Sequence, residues 1–317
     1  MSKPVVLVDV PLPPLLSELM EPICEVWSWE ETLRAEGETR CAVEGLFTYG
    51  HPIVDGSFLD LFPRLCVVSN FGVGVDHVDL GAALARKIQV GNTPGAVDGA
   101  TADLTMAILL ASARNVVLGD RYARSKDFTQ YDPSLFLGAE VHGSTLGIVG
   151  MGRVGKQVAR RARGFDMRIL YSNRRRDLAA EVEVEAKHTS LDELLAQSHF
   201  VSLNVPLTGD TRRMIGEREL RMMRRDAILI NVARGGVVDH EALLKALVEG
   251  WIRGAALDVT EPEPLPRDHP LLALENLTIT PHLGSAADRT RRRMSEMAVD
   301  NLKAGLERRR LPWQVQL

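Results

Sequence analysis

Residues 145–155 read TLGIV-GMGRVG, and this stretch restricts the fold of the 317-residue chain more than any other. The apolar run Thr145–Val149 predicts a buried strand, and the residues after Gly155 predict a helix. Glycines at 150, 152 and 155 stand at the spacing of a dinucleotide-binding turn. Gly150 permits the sharp turn, Gly152 lets the backbone approach a pyrophosphate, and Gly155 lets helix and strand pack closely. Arg153 and Val154 complete the motif at the helix N-terminus, where unpaired N–H groups carry partial positive charge. A tight β–α turn with no ligand is the alternative reading; the strand–turn–helix context favours the dinucleotide.

The rest of the chain repeats the same alternation. Val5–Val10, Val43–Thr48 and Leu65–Ser69 are short apolar runs that predict parallel strands of an α/β layer fold. From Asp98 to Val117 the pattern becomes helical and apolar all along, which predicts a helix packed between domains or subunits. A looser stretch, 126–144, precedes a second series of six strands: Thr145–Val149, Arg168–Tyr171, Phe200–Asn204, Ala227–Val232, Ala255–Val259 and Leu277–Thr280. Helical segments such as Glu241–Glu249 intervene, and Ala286–Glu307 is helical again and returns to the first domain. At roughly 150 residues per domain, the length predicts two domains. The expected fold is α/β with two doubly wound lobes, Rossmann-like and flavodoxin-like, and a cleft between them.

A net charge of −4 removes the global positive field that nucleic acid requires, and the Arg174–Arg176, Arg291–Arg293 and Arg308–Arg310 runs read as local features. Cys24, Cys41 and Cys66 form no CxxC pair, which predicts reduced, mostly buried thiols, a cytoplasmic setting and no metal centre. The N-terminal MSKPVVLVDVPLPPLL is a poor signal peptide, and no apolar run reaches the ~18 residues of a membrane span.

The second strand of the nucleotide domain ends in Tyr171-Ser172-Asn173-Arg174-Arg175-Arg176, with no carboxylate before Asp177. An acidic residue there would accept from the ribose hydroxyls of NAD. Ser172 and Asn173 can instead donate to a 2′-phosphate, and Arg174 or Arg175 can pair with it in forked geometry. These residues predict NADPH/NADP in preference to NADH/NAD; a solvated arginine turn is the alternative.

Three further motifs follow buried strands: Asn231-Val232-Ala233-Arg234-Gly235-Gly236, then LDVTEPEP at 257–264, then Thr280-Pro281-His282-Leu283-Gly284-Ser285. Ligands of open α/β sheets bind beyond the carboxyl ends of the strands, so an arginine, a carboxylate and a histidine are expected beside the dinucleotide. Their order and wording resemble the D-isomer-specific 2-hydroxyacid dehydrogenase family over essentially the whole chain. The resemblance is strongest to its glyoxylate/hydroxypyruvate reductases, at LDVTEPEPLPRDHPLL and TPHLGSAADRTR.

That resemblance implies reduction of small 2-oxo acids to D-2-hydroxy acids, with Arg234, Glu263 and His282 as the catalytic group. Glu261 is the alternative to Glu263, and His77 is the rival to His282. His51, His142, His188, His199, His240 and His269 are read as structural. The resemblance also places Val73 and Gly74 on the substrate carboxylate, with Ser285 and Tyr131 at the substrate. Tyr131 would reach into the neighbouring subunit of a homodimer, where mammalian-type relatives have a tryptophan. Thr101, Val205, Pro206, Thr211, Val232, Asp258 and Gly284 fall on the cofactor side. The implied domains are 1–97 plus 287–317 for substrate and 98–286 for the dinucleotide.

The chemistry is coherent without the resemblance. A histidine near neutral pH can protonate a carbonyl oxygen, an adjacent carboxylate orients it, and an arginine can bind a carboxylate and polarise a carbonyl. Dehydrogenation of another 2-hydroxy acid, such as 2-ketogluconate or phosphoglycerate chemistry, is the alternative within enzymes. A dinucleotide-sensing corepressor is the non-enzymatic alternative, disfavoured by the absence of a long polar tail at Leu317.

Overall fold

The computed structural model describes residues 3–34, 37–50 and 52–316, which leaves His51 outside the described residues. The chain divides into two compact units, Met1–Val97 with Ala287–Leu317, and Asp98–Ala286.

In the first unit, strands β1 (Val5–Val8), β2 (Glu25–Ser28), β3 (Val43–Thr48), β4 (Val67–Asn70) and β5 (Gln89–Gly91) form a parallel sheet in the order β2-β1-β3-β4-β5. This is the flavodoxin-like order, whose switch point lies between β1 and β3. Alternate residues of β1 enter different cores. Val6 and Val8 pack with Phe47, Met294 and Leu302, whereas Val5 and Leu7 pack with Leu46, Leu59 and Phe62. The helix Asp288–Leu306 covers one face, where the Ser69 hydroxyl donates to the Ala298 carbonyl at 2.7 Å.

In the second unit, strands β6 (Thr145–Val149), β7 (Arg168–Ser172), β8 (Lys187–His188), β9 (Phe200–Leu203), β10 (Ile228–Asn231), β11 (Gly254–Leu257) and β12 (Leu277–Ile279) form a seven-stranded parallel sheet. The order β12-β11-β10-β9-β6-β7-β8 places the switch point between β6 and β9. Ile228 and Ile230 face one core and Leu229 the other, and all four residues of β10 are buried. Both faces are therefore apolar, and these strands read as continuous hydrophobic runs rather than as an alternation.

Three features differ from expectation. The first sheet has five strands where three runs were legible, and the second has seven where six were. The added strands β2, β5 and β8 are all sheet edges. The helix expected over 98–117 stops at Ala113; Asn115 turns left-handed (φ +53°), and a separate helix runs Val116–Ala123 at 62° to the first. Asparagine tolerates that backbone, so the break needs neither glycine nor proline. No single helix among the described residues is long and apolar enough to cross a membrane.

Candidate active site

The glycine-rich turn follows β6 as its sequence requires. Gly150 has φ +98°, and a Cβ there would lie 2.8 Å from the Asn204 backbone and 2.9 Å from Val205. A Cβ on Gly155 would lie 2.3 Å from the Gly150 carbonyl oxygen, whereas Gly152 faces open space. Glycine at 150 and 155 thus lets the turn pack against the loop after β9 and lets the helix pack against the turn, while the open space lies at Gly152. Gly152 precedes the helix Arg153–Arg163, and the N–H groups of Gly152, Arg153 and Val154 have no partner within the chain among the described residues. That open space and these donors fit a pyrophosphate. The Arg153 side chain is exposed, with Nε 3.7 Å from the Asp98 carboxylate.

At the end of β7, Ser172 and Asn173 are half-buried, and Arg174 and Arg175 are exposed. The Met151 N–H donates to Asn173 Oδ1 at 2.7 Å, which ties this turn to the glycine-rich loop and leaves the Asn173 amide N–H groups as donors. Arg176 is bound to Glu181 through two contacts of 2.6 Å. Those bonds, with one from the Tyr171 hydroxyl, hold the Glu181 carboxyl at about 2. Asp177 caps the next helix and pairs with Lys156 at 2.7 Å. Both nearby carboxylates are therefore neutralised, and Arg174 and Arg175 have no ion pair among the described residues.

The loops beyond β10, β11 and β12 hold the remaining groups. After β10, Asn231 accepts from the Ala233 N–H at 3.0 Å and donates to the Arg234 carbonyl at 2.9 Å, fixing the backbone on both sides of Arg234. The half-buried Arg234 guanidinium donates to the Ala233 carbonyl at 2.9 Å. A Cβ on Gly235 would lie 2.0 Å from the Thr260 carbonyl carbon, so only glycine lets this loop pass against the loop beyond β11.

On that second loop, Glu263 Oε1 accepts from His282 Nδ1 at 2.6 Å. Glu261 points elsewhere, pairing with Arg212 at 2.8 Å beside Gly236. His282 has φ +55°, and its N–H donates to the Asp258 carbonyl at 2.9 Å. The Asp258 carboxylate, 1% exposed, accepts from the Thr280 hydroxyl (2.6 Å) and from the Leu283 (2.7 Å) and Gly284 (2.8 Å) N–H groups. Burial pushes the Asp258 carboxyl up from the ordinary aspartate value, against the pull of these donors. The Thr101 hydroxyl donates to the Gly284 carbonyl at 3.1 Å, closing the loop from the helix side. Sequence reasoning gave no role to Asn231, Thr280 or Arg212. The available signal was a buried polar residue ending an apolar strand, as in ILIN.

The other expected residues are distributed as follows. Val232 is buried; Ser285 is half-buried, three residues beyond His282. Val205 and Pro206 begin the loop after β9, and the Thr211 hydroxyl is spent inside it, donating to the Pro206 carbonyl at 2.6 Å. Tyr131 is 82% exposed. Val73 and Gly74 lie in the first unit, half-buried in the loop after β4, and His77 follows in the same unit. The His269 ring accepts from the Leu271 N–H, His199 accepts from the Thr145 N–H, and His142 lies 3.4 Å from Asp166, all structural contacts.

Fold and site together define a two-unit α/β protein whose larger unit is a dinucleotide-binding domain carrying an Arg–Glu–His group at its carboxyl edge. Residues 106–284 match the family model for the D-isomer specific 2-hydroxyacid dehydrogenase, NAD binding domain. The chain is 52% identical to a glyoxylate reductase of Korarchaeum cryptofilum over 254 residues, 79% of this chain and 76% of that protein. It is 44% identical to the glyoxylate reductase of Pyrococcus furiosus over 310 residues, 95% and 92% of the two. A Sinorhizobium meliloti NADPH-dependent glyoxylate/hydroxypyruvate reductase, solved with NADP and malonate, superposes with a TM-score of 0.90 at 31% identity, covering 99% of this chain and 97% of that one. The chain belongs to the D-isomer specific 2-hydroxyacid dehydrogenase family and binds a nicotinamide dinucleotide.

Proposed function

We propose that the protein reduces glyoxylate and hydroxypyruvate to glycolate and D-glycerate with NADPH, as a homodimer. The observation that carries this reading is the 2.6 Å contact between His282 and Glu263, on loops beyond two strands of the sheet that also carries the glycine-rich turn. The reduced nicotinamide supplies hydride to the carbonyl carbon when bound. Glu263 holds Nδ1 of His282 and orients the ring, so Nε2 is the atom that delivers the proton to the carbonyl oxygen. Arg234 binds the substrate carboxylate and stabilises charge developing on that oxygen. Asp258 and Thr101 hold the loop bearing His282, and Asp258 keeps acceptor capacity for the nicotinamide amide. Val73 and Gly74 offer backbone N–H groups to the substrate carboxylate.

The cofactor preference rests on Ser172, Asn173, Arg174 and Arg175. These side chains offer donors at the end of β7 that can pair with a 2′-phosphate, and the nearby carboxylates are already paired. NADPH is expected to exceed NADH by at least ~30-fold in kcat/KM, equivalent to about 2 kcal/mol. Because the arginines are exposed, the preference shrinks as salt rises beyond ~0.15 M. Initial rates with both cofactors and a panel of 2-oxo acids test the reading. Equal use of the two cofactors at low salt would remove the arginine turn from recognition, and failure to reduce any 2-oxo acid would overturn the activity.

A further inference from the structure

Three consecutive carbonyl groups in the loop after β4 are tied to the first unit's own polar groups. The Gly72 carbonyl accepts from Asn70 Nδ2 at 3.1 Å and from the Thr93 N–H at 3.0 Å. The Val73 carbonyl accepts from Asn92 Nδ2 at 2.8 Å, and the Gly74 carbonyl from Asn70 Nδ2 at 2.9 Å. In a trans peptide each carbonyl and the N–H that follows it point in opposite directions. The N–H groups of Val73, Gly74 and Val75 are therefore turned away from the asparagines. None has a partner within the chain among the described residues, although all three residues are half-buried.

Backbone donors at half-buried positions are met by water or by a ligand acceptor, so these three N–H groups are open to an incoming anion. Successive N–H groups make an anion-binding nest, and each carbonyl that accepts a hydrogen bond polarises its own peptide N–H. The orientation of Asn70 is itself set. The Thr48 hydroxyl donates to Asn70 Oδ1 at 2.9 Å, so both amide hydrogens face the loop, and both Thr48 and Asn70 are fully buried.

We infer that Asn70 and Asn92 are positioning residues that hold the Val73–Val75 peptide planes as a preformed three-donor cradle for one carboxylate, with Thr48 setting Asn70. This rests on the reading that the Val73–Gly74 loop takes the carboxylate of the 2-oxo acid. The device is electrically neutral and sits behind the loop, so it acts on binding of the carboxylate and not on proton delivery.

Kinetics of Asn92→Ala and Thr48→Val, with oxalate as a competitive dicarboxylate probe, test the inference. Asn92 is half-buried, so its truncation disturbs core packing less than a change at the fully buried Thr48. In Asn92→Ala, KM for glyoxylate and Ki for oxalate should each rise about tenfold, the effect of one lost hydrogen bond to a constrained group. Turnover and KM for the nicotinamide cofactor should stay within about twofold. Thr48→Val should raise the same two constants by about fivefold, and Thr48→Ser, which keeps the hydroxyl, should restore them. Unchanged KM and Ki in both folded variants would overturn the inference. So would a uniform loss of turnover, cofactor affinity and melting temperature, which is the signature of a merely structural role. If the unmodified protein reduces no 2-oxo acid, the functional reading fails separately. Calorimetry of oxalate binding to the cofactor complex then decides the inference alone: no heat from the unmodified protein, or equal affinity in Asn92→Ala, would overturn it.

Discussion

His282 adopts a backbone that few residues other than glycine occupy, with φ +55°. That conformation turns Nδ1 onto Glu263, and the Asp258 carbonyl and carboxylate hold the loop by its own N–H groups. Glu261 and Glu263, two residues apart in EPEP, could not be separated by sequence chemistry alone, because either carboxylate can orient an imidazole. Geometry distinguishes them: Glu261 is spent on Arg212 and Glu263 contacts the histidine. Glu263→Gln should lower turnover about 10- to 100-fold, within the range of a lost acid–base partner, whereas Glu261→Gln should cost less than about threefold. Steady-state kinetics of the two variants side by side make the check. The opposite ranking would return the role to Glu261.

Elements are positioned here by close backbone approaches as much as by apolar burial. The Arg234 loop reaches the Thr260–Glu263 loop only because residue 235 has no Cβ. Gly235→Ala should displace the second loop, destabilise the unit by about 1–3 kcal/mol as overpacking does, and lower turnover more than cofactor affinity. Thermal unfolding and cofactor titration would report this, and a variant with wild-type stability and turnover would contradict the packing. The interior strands were legible because both faces of each are covered, which makes them short continuous apolar runs. The edges were not. β2 reads EVWS with two exposed residues, β5 has three residues and β8 two, too few for any period to register. The helix break at Asn115 was hidden because apolar residues resume at Val116 and Val117. Of the site, the glycine-rich turn and the Arg, Glu and His motifs were legible. Asn231 and Thr280, which hold the Arg234 and His282 loops, carry no spacing signal of their own.

At the scale of the whole molecule, exposed apolar groups gather on one segment of the second unit. Val116, Phe128, Leu135, Phe136 and Leu137 are all exposed, with Leu137 at 71% and Tyr131 at 82%. Tyr122 packs against Phe128 and Phe136 with ring centroids 5.5 and 5.3 Å apart, so the segment is ordered by aromatic contact. A concentration of exposed apolar side chains on one segment is the kind of surface that a partner covers. In the homodimer we propose, a second copy covers it. Light scattering at micromolar concentration should return twice the monomer mass, and Tyr131→Asp with Leu137→Asp should shift it toward monomer. A monomer in the unmodified protein would reject the dimer.

The most direct test of the central claim compares the unmodified protein with His282→Ala, at saturating NADPH and glyoxylate and near neutral pH, by the fall in nicotinamide absorbance. Steady NADPH consumption is expected of the unmodified protein, and a loss of turnover of ~100-fold or more of the variant, as for removal of a general acid. Fluorescence titration should show the variant still binding NADPH within about threefold of normal, because its glycine-rich turn is untouched. Turnover in His282→Ala close to that of the unmodified protein would contradict the account.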